Sequence, residues 1–302
     1  MIALYREPLV LSDGGIETRI IHEYAHPLQN LRAFELLDTA QGRGILSAIY
    51  RSYADVAVRY DLPIQLGTPT WRASQRWTTD VARYNRDAVM LIREVIAASG
   101  ARAIVAGVLG PATDAYDPSD ALDRAAAQAY HREQAEALVA AGVDVLYAAT
   151  FPACDALLGA CAAMAATKRP FVAAPMVGSD GAMMDGTPLA LAIERIDEDP
   201  AARPWHYMLG CIYPTHAAQA LERLFRSAPD LAHRVVGLKA NGSPLPPVIL
   251  DKSERLERTT PEIFARDVLA CANDFGLSVV GGCCGTDASD IEAIAQLAAQ
   301  RR

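Results

Sequence analysis

Near its C-terminal end the sequence reads Leu277-Ser278-Val279-Val280-Gly281-Gly282-Cys283-Cys284-Gly285-Thr286. Residues 277–280 are typical of a buried strand, and the glycines that follow allow backbone conformations and close contacts that a Cβ atom would forbid. Thr286 or Asp287 can cap a helix whose apolar face is formed by Ile291, Ile294, Leu297 and Ala298. The segment therefore predicts a strand, a turn that carries two cysteines, and a helix.

Similar apolar runs recur along the chain and alternate with helical patterns such as residues 120–141. With the last run they number eight, at Val10, 64–66, 103–106, 143–147, 171–174, 207–209, 235–238 and 278–280. Eight is the number of strands that a closed parallel barrel requires. The first run lacks the GxGxxG of a dinucleotide-binding sheet, and no linker divides the chain. We therefore expect an α/β fold, a single-domain (β/α)8 TIM barrel over residues 1–302.

The composition indicates a globular protein without nucleic-acid or membrane partners. The 302 residues are 51% hydrophobic and 21% charged, and the formal net charge of -8 gives no attraction to nucleic acid or anionic lipid. Residues 1–8 lack the features of a signal peptide, and no run approaches the roughly 20 apolar residues of a membrane span. Six dispersed cysteines fit a reducing compartment, so we expect a cytoplasmic protein. Exposed helix faces would allow a homo-oligomer without specifying one.

The adjacent cysteines Cys283 and Cys284 predict a metal site together with Cys211. A disulfide between neighbouring residues is strained, so both sulfur atoms need another role. The strand ends of a barrel meet on one face, which would bring Cys211, after the sixth strand, to the pair after the eighth. Three thiolates suit Zn²⁺ at roughly 2.3 Å each and leave one tetrahedral position open. Two alternatives remain: small buried hydrophobic residues, or a phosphate loop, although the GxxxxGK[ST] spacing and its lysine are missing.

Four segments carry a wider resemblance, and they comprise residues 13–18 (DGGIET), 106–111 (AGVLGP), 185–188 (DGTP) and 281–286 (GGCCGT). Through them the chain resembles, nearly end to end, the zinc-dependent homocysteine S-methyltransferases. That family includes S-methylmethionine-dependent and betaine-dependent enzymes and the homocysteine domain of cobalamin-dependent methionine synthase. The last of the four segments is the most specific.

This resemblance implies a thiol methyl transfer that uses Zn²⁺. The family's zinc cysteines correspond to Cys211, Cys283 and Cys284, and its amine-binding aspartate corresponds to Asp13, with Gly14 and Gly15 presenting backbone to the substrate. A metal deprotonates a coordinating thiol, so homocysteine would attack the methyl group of a sulfonium or ammonium donor as a thiolate and give methionine. Because the 302 residues contain no cobalamin or folate module, a free donor such as S-methylmethionine or S-adenosylmethionine is favoured.

Two positions depart from the family pattern. The family typically has Glu-Thr after the fourth strand, with the glutamate binding the homocysteine amine, whereas this chain has Ala149-Thr150. Thr150 keeps the family's threonine and is a candidate substrate-binding residue, together with Glu17. Gly210 also replaces the asparagine that usually precedes the first zinc cysteine. Either Glu17 compensates for the missing carboxylate, or the acceptor is a thiol other than homocysteine. A zinc-binding barrel without methyltransferase activity is a third, non-enzymatic hypothesis.

A second metal motif stands near the N-terminus, where the chain reads His22-Glu23-Tyr24-Ala25-His26. This HExxH pattern is that of zinc metalloproteases, in which two histidines on one helix bind zinc and the glutamate acts as a base. Pro27 follows at once, where such a helix would continue, so the sequence disfavours this function.

Three aromatic residues, Trp71, Trp77 and Tyr116, follow predicted strand ends. Their rings would hold a methyl cation by cation–π contact, worth roughly 0.5–2 kcal/mol. The alternative is that they are ordinary aromatic residues of the rim or core. The sequence favours that alternative.

Overall fold

Eight parallel strands close into a barrel in the part of the chain that the structure describes, residues 3–200, 202–250 and 255–300. In this computed structural model the strands follow one another in sequence order, β1 pairing with β8. They are β1 (Val10–Ser12), β2 (Ile64–Gly67), β3 (Ala103–Leu109), β4 (Val145–Phe151), β5 (Phe171–Pro175), β6 (His206–Ile212), β7 (Val235–Ala240) and β8 (Val279–Gly282). Each contains or overlaps a predicted apolar run, so the (β/α)8 barrel is confirmed. Met1 and Ile2, which begin the segment without signal-peptide features, lie outside the described residues.

Helices surround the strands. They are α1 (Glu17–His22), α2 (Ala40–Arg59), α3 (Val81–Ser99), α4 (Arg124–Ala140), α5 (Cys154–Ala166), α6 (Leu189–Asp197), α7 (Pro214–Ser227), α8 (Pro229–Ala232), α9 (Pro247–Leu250), α10 (Pro261–Phe275) and α11 (Ala288–Ala299), with 3₁₀ turns at Ala3–Arg6, Gln29–Leu31 and Ala33–Asp38. None of the described helices is both long and apolar enough to cross a membrane.

Local signals set the ends of these helices. The helical pattern that begins at residue 120 becomes a helix only from Arg124, because the Asp123 side chain accepts a hydrogen bond from the Ala126 N–H at 2.8 Å. Thr39 caps α2 in the same way. At the other end, Gly100 stops α3 in the left-handed conformation, which glycine adopts without steric cost.

The apolar core forms two layers, one on each side of the strands. Val10 faces the barrel interior and Leu11 faces the helices, as the alternation of a strand requires. At the N-terminal end of the barrel, Tyr5 packs against the interior cluster, and its hydroxyl bonds to the Gln65 side chain. The opposite end, where the strands stop, is the face on which barrel enzymes build their sites.

Candidate metal and thiol site

Three cysteine side chains meet at the C-terminal end of the barrel. The Sγ atoms of Cys211, Cys283 and Cys284 lie within 4.8 Å of one another, and among the described residues they form the one such group that could hold a metal ion. Cys211 is buried, and the other two are half-buried. Sulfur ligands of a tetrahedral Zn²⁺ stand about 3.8 Å apart when Zn–S bonds measure roughly 2.3 Å. Three soft donors at this spacing fit zinc.

Cys211 reaches this cluster through an irregularity in β6. Its backbone adopts the left-handed conformation, with φ of 53°, and the pairing of β6 with β7 shifts register at the same point. Such a bulge redirects a side chain, and the conformation costs about 1–3 kcal/mol for a residue with a Cβ. Thr150 shows the same combination in β4, with φ of 59° and a register shift towards β5. Both side chains therefore leave the regular alternation of their strands.

The turn after β8 packs tightly against the turn after β1. A Cβ at Gly282 would lie 2.0 Å from Thr286 Oγ1, and one at Gly15 would lie 2.8 Å from the Cys283 carbonyl oxygen. Thr286 Oγ1 donates to that carbonyl at 2.8 Å and accepts from the Gly15 N–H at 3.1 Å. Of the two candidate caps, Asp287 begins α11. Thr286 is thus left to fix the cysteine-bearing turn.

Hydrogen bonds to sulfur favour the charged form of Cys211. Donation from the Cys283 and Cys284 thiols lowers the pKa of Cys211 well below its usual range, and the pKa of each donor rises because Cys211 accepts from it. The Tyr116 hydroxyl also donates to Cys211 Sγ, at 3.4 Å, and Asn241 Nδ2 does so at 3.7 Å. Asn241 belongs to none of the sequence motifs; its position directly after β7 is the signal that could have identified it.

Asp13 directly follows β1, and its carboxylate is buried and bonded on both oxygens. Oδ2 accepts from the Gly67 N–H at 2.7 Å, and Oδ1 pairs with Lys239 of β7. The side chains of Lys239 and Asp13 are 13% and 2% exposed, respectively. No sequence signal identifies Lys239, because its partner lies 226 residues away along the chain.

Glu17 supplies a second carboxyl beside the cysteines. It begins α1 and is half-buried. Burial raises the pKa of this carboxyl to about 7; its own backbone N–H and Lys239 oppose the rise, while the negative charges of Asp13 and Cys211 add to it. Glu17 is therefore close enough to all three groups for their charges to act on it.

The other residues predicted to contact the acceptor have polar groups bonded within the protein. The Gly15 carbonyl accepts from Tyr53 Oη at 2.9 Å, and a Cβ at Gly14 would lie 2.7 Å from the same hydroxyl. Thr150 Oγ1 donates to the preceding carbonyl at 2.7 Å and accepts from Trp71 Nε1 at 3.1 Å. Both the N–H and the carbonyl of Gly15 are bonded within the protein, and the missing Cβ of this glycine allows the turn after β1 to pack closely.

A cavity of about 240 Å³ opens beside Cys211. It offers aromatic rings, thioethers and hydroxyls, but among the described residues that line it none is Asp, Glu, Lys or Arg. The lining residues are Tyr116, Met176, Val177, Gly178, Ser179, Met184, Cys211, Ile212, Tyr213, His216, Asn241, Ser243, Pro244, Leu245 and Pro246.

Trp71 and Trp77 are not among the lining residues of this cavity. The Arg72 guanidinium lies 4.0 Å from the Trp71 ring centroid and 5.0 Å from that of Trp77. Each ring thus already faces a cation of the protein itself, which favours the packing interpretation for both tryptophans. Tyr116 does line the cavity.

The HExxH residues do not have the arrangement of a metalloprotease. Helix α1 ends at His22, and Ala25 has a φ of 49°, in the left-handed region and outside the range of a right-handed α-helix. Glu23 pairs with Arg19 at 2.6 Å, and both histidines of the motif are exposed. Because HExxH binds zinc only when a continuous helix aligns its histidines, the structure contradicts the metalloprotease hypothesis.

Comparison with known protein families identifies the family of this chain. A model of the family described as homocysteine S-methyltransferase matches residues 10–298. This chain belongs to the homocysteine S-methyltransferase family. As a member of that family it is an enzyme, a thiol methyltransferase, and its three clustered cysteines stand where a barrel enzyme has its site. No curated protein matches the chain.

Solved structures with a similar fold include the homocysteine methyltransferase MmuM from Escherichia coli. Its oxidized form has a TM-score of 0.78 at 20% identity, covering 98% of each chain. Its metallated form has a TM-score of 0.74 at 20% identity, covering 97% of each chain. At this identity the similarity shows a shared barrel fold along the whole length of both proteins.

Proposed function

We propose that this family member transfers a methyl group from a sulfonium or ammonium donor to the thiol of homocysteine, with Zn²⁺ held by Cys211, Cys283 and Cys284. The observation that supports it is the meeting of these three sulfur atoms at the C-terminal end of the barrel of a homocysteine S-methyltransferase. The metallated form of MmuM, a protein with a similar fold, also supports it. The product would be methionine.

Zn²⁺ bound by the three cysteines would keep the acceptor thiol deprotonated at neutral pH. The thiol proton passes to solvent, and a sulfur lone pair forms the new S–CH₃ bond. The bond from the methyl carbon to the donor's sulfur or nitrogen breaks, and its electron pair stays on the donor. The donor thus leaves as a neutral thioether or amine, so no general acid is needed. The chain itself holds the acceptor and the donor in reactive positions, so that the two small molecules react within one site.

The acceptor side is formed by the turn after β1 and the end of β4. Asp13 and Glu17 supply carboxyl groups after β1, and Thr150 lies near the end of β4, on the same face of the barrel. Gly14 and Gly15 keep the turn narrow enough to pack beside Cys283. This region would receive the amino-acid part of homocysteine while its sulfur lies at the cysteine cluster.

The donor side is the cavity beside Cys211. Its volume of about 240 Å³ lies below the roughly 300–1,000 Å³ typical of sites for drug-sized ligands, which favours S-methylmethionine over the larger S-adenosylmethionine. The rings of Tyr116 and Tyr213 would attract the cationic methyl centre, each contact contributing roughly 0.5–2 kcal/mol. All six cysteines are free thiols, and we place the enzyme in the reducing cytoplasm.

The test is methyl transfer by purified protein before and after metal removal. Zinc is measured by elemental analysis, and homocysteine is supplied with S-methylmethionine, S-adenosylmethionine or betaine while methionine is quantified by mass spectrometry. We expect bound zinc, methionine formation that is fastest with S-methylmethionine, and loss of activity on chelation that added zinc restores. Zinc-loaded protein that methylates no thiol with any donor, or full activity without zinc, would overturn the proposal.

A further inference from the structure

Lys239 occupies a central position between the strands that carry the cysteines. On β7 it is in register with Gly210 of β6, which precedes Cys211, and with Gly281 of β8, which precedes the cysteine pair by two residues. Its side chain is 13% exposed and crosses to β1. A lysine this enclosed requires a partner, because a buried unpaired ammonium is costly.

The ammonium group of Lys239 is satisfied by the protein alone. Its Nζ donates to Asp13 Oδ1, to the Asp13 carbonyl oxygen at 3.0 Å and to Ser12 Oγ at 3.2 Å. An ammonium has three N–H groups, so none is left for a ligand. The second oxygen of the Asp13 carboxylate is held by the Gly67 N–H at 2.7 Å. The charge of Asp13 is therefore neutralised before any substrate binds.

Glu17 is the carboxyl that stays available. Its hydrogen bond within the protein comes from its own backbone N–H, and no other described side chain donates to it. Neighbouring elements supply no alternative: β4 has Ala149 at its end, and the lining of the cavity beside Cys211 contains no charged residue among those described. An incoming ammonium that displaced Lys239 from Asp13 would gain one ion pair and leave another buried cation unpaired.

From these contacts we propose that Lys239 determines how the acceptor is recognised: by occupying Asp13 it makes Glu17 the carboxylate that binds the ammonium of an α-amino thiol acid. This inference rests on the proposed thiol methyl transfer and refines its acceptor site. Lys239 is a positioning residue, because it acts through Asp13, whereas Glu17 contacts the substrate. The acceptor class is then an amino-acid thiol whose ammonium and sulfur are bound by Glu17 and the cysteine cluster, respectively.

The first experiment compares homocysteine with 4-mercaptobutanoate, which has the same chain and thiol but no amino group. Dissociation constants for the zinc-loaded protein are measured by calorimetry without a methyl donor, so that no turnover is required. We expect wild type to prefer homocysteine by about 10- to 100-fold, the value of a hydrogen-bonded ion pair, and Glu17→Gln to lose that preference. Equal binding of the two thiols by wild type, or a preference retained by Glu17→Gln, would overturn the assignment.

The second experiment tests Lys239 by combining substitutions. Lys239→Met removes the ammonium and frees Asp13, so the double variant Lys239→Met/Glu17→Gln should recover a preference of about 10-fold, and adding Asp13→Asn should abolish it again. Lys239→Arg keeps the charge and should retain the wild-type ratio. A folded, zinc-loaded double variant without recovery would overturn the role of Lys239. If the unpaired Asp13 prevents folding, the Glu17→Gln ratio still decides whether Glu17, and not Asp13, binds the ammonium.

These outcomes are separable from those of the proposed function. If the wild-type protein binds both thiols with the predicted ratio but methylates neither, methyl transfer fails while the assignment of Glu17 stands. If methionine forms and the ratio is near one, methyl transfer stands and the assignment fails. Thermal unfolding and zinc content of every variant identify effects on the fold or the metal site.

Discussion

The Tyr116 hydroxyl lies 3.4 Å from Cys211 Sγ and donates a hydrogen bond to it. The two residues are 95 positions apart, one after β3 and the other in β6. Groups that bond to a metal ligand orient it and tune how strongly it donates to the metal. Tyr116 also lines the cavity proposed for the methyl donor, so a single side chain joins the two halves of the site.

We predict that Tyr116→Phe slows methyl transfer by about 10- to 100-fold, the usual effect of removing a group that supports a metal ligand. Steady-state kinetics measure the rate, and elemental analysis should show that the three cysteines still retain zinc. Tyr130→Phe is the matched control, because it also removes one tyrosine hydroxyl. That hydroxyl bonds Ser74 Oγ, at a distance of 2.6 Å, and not a cysteine. Equal rates for wild type and Tyr116→Phe would show that the bond to Cys211 has no functional effect.

Cys283→Ser should purify with little or no zinc. A serine hydroxyl is a harder and more weakly acidic donor than a thiol, so two remaining sulfur atoms would have to hold the metal. Cys271→Ala is the control, since Cys271 is 2% exposed and packs in α10. Zinc per chain is compared among wild type and both variants after gel filtration under reductant. Stoichiometric zinc in Cys283→Ser would contradict the three-cysteine site.

Acceptor binding should strengthen as the pH rises through about 7, because burial raises the pKa of Glu17 to about 7. Below that pH the carboxyl is protonated and neutral; above it the carboxylate carries the charge that an ammonium requires. We expect the KM for homocysteine, divided by that for 4-mercaptobutanoate, to fall between about pH 6 and about pH 8. The ratio cancels the titration of the thiol, which both acceptors share. A ratio that changes equally in Glu17→Gln would assign the titration to another group.

Filling the cavity beside Cys211 should weaken donor binding selectively. Met184 is half-buried and lines it, so Met184→Trp should raise the KM for S-methylmethionine by about 10-fold and leave the KM for homocysteine unchanged. Met90→Trp is the control, because Met90 is 49% exposed on α3. An increase confined to the homocysteine KM would show that this cavity receives the acceptor instead.

The sequence alone determined the fold and the three cysteines that come together in it. Strand and helix periodicity is local, so the alternation of apolar runs predicted all eight barrel strands in the described chain. The barrel geometry then requires strand ends to converge, which is why Cys211 could be joined to Cys283 and Cys284 without coordinates. The HExxH pattern failed for a reason that is also local: helix α1 ends at His22, and the backbone at Ala25 is left-handed.

Only the tertiary structure decided which polar groups remain free for a substrate. Asp13 and Lys239 form an ion pair although they are 226 positions apart in the sequence, and the Gly15 N–H donates to Thr286, 271 positions away. Neither interaction therefore has a sequence signal. The left-handed backbone of Cys211 arises from a register shift between two strands, which depends on both of them. The spacing of apolar residues in the sequence indicates which face of a helix or strand is buried. Hydrogen-bond partners, in contrast, depend on side chains that folding brings together from distant parts of the chain.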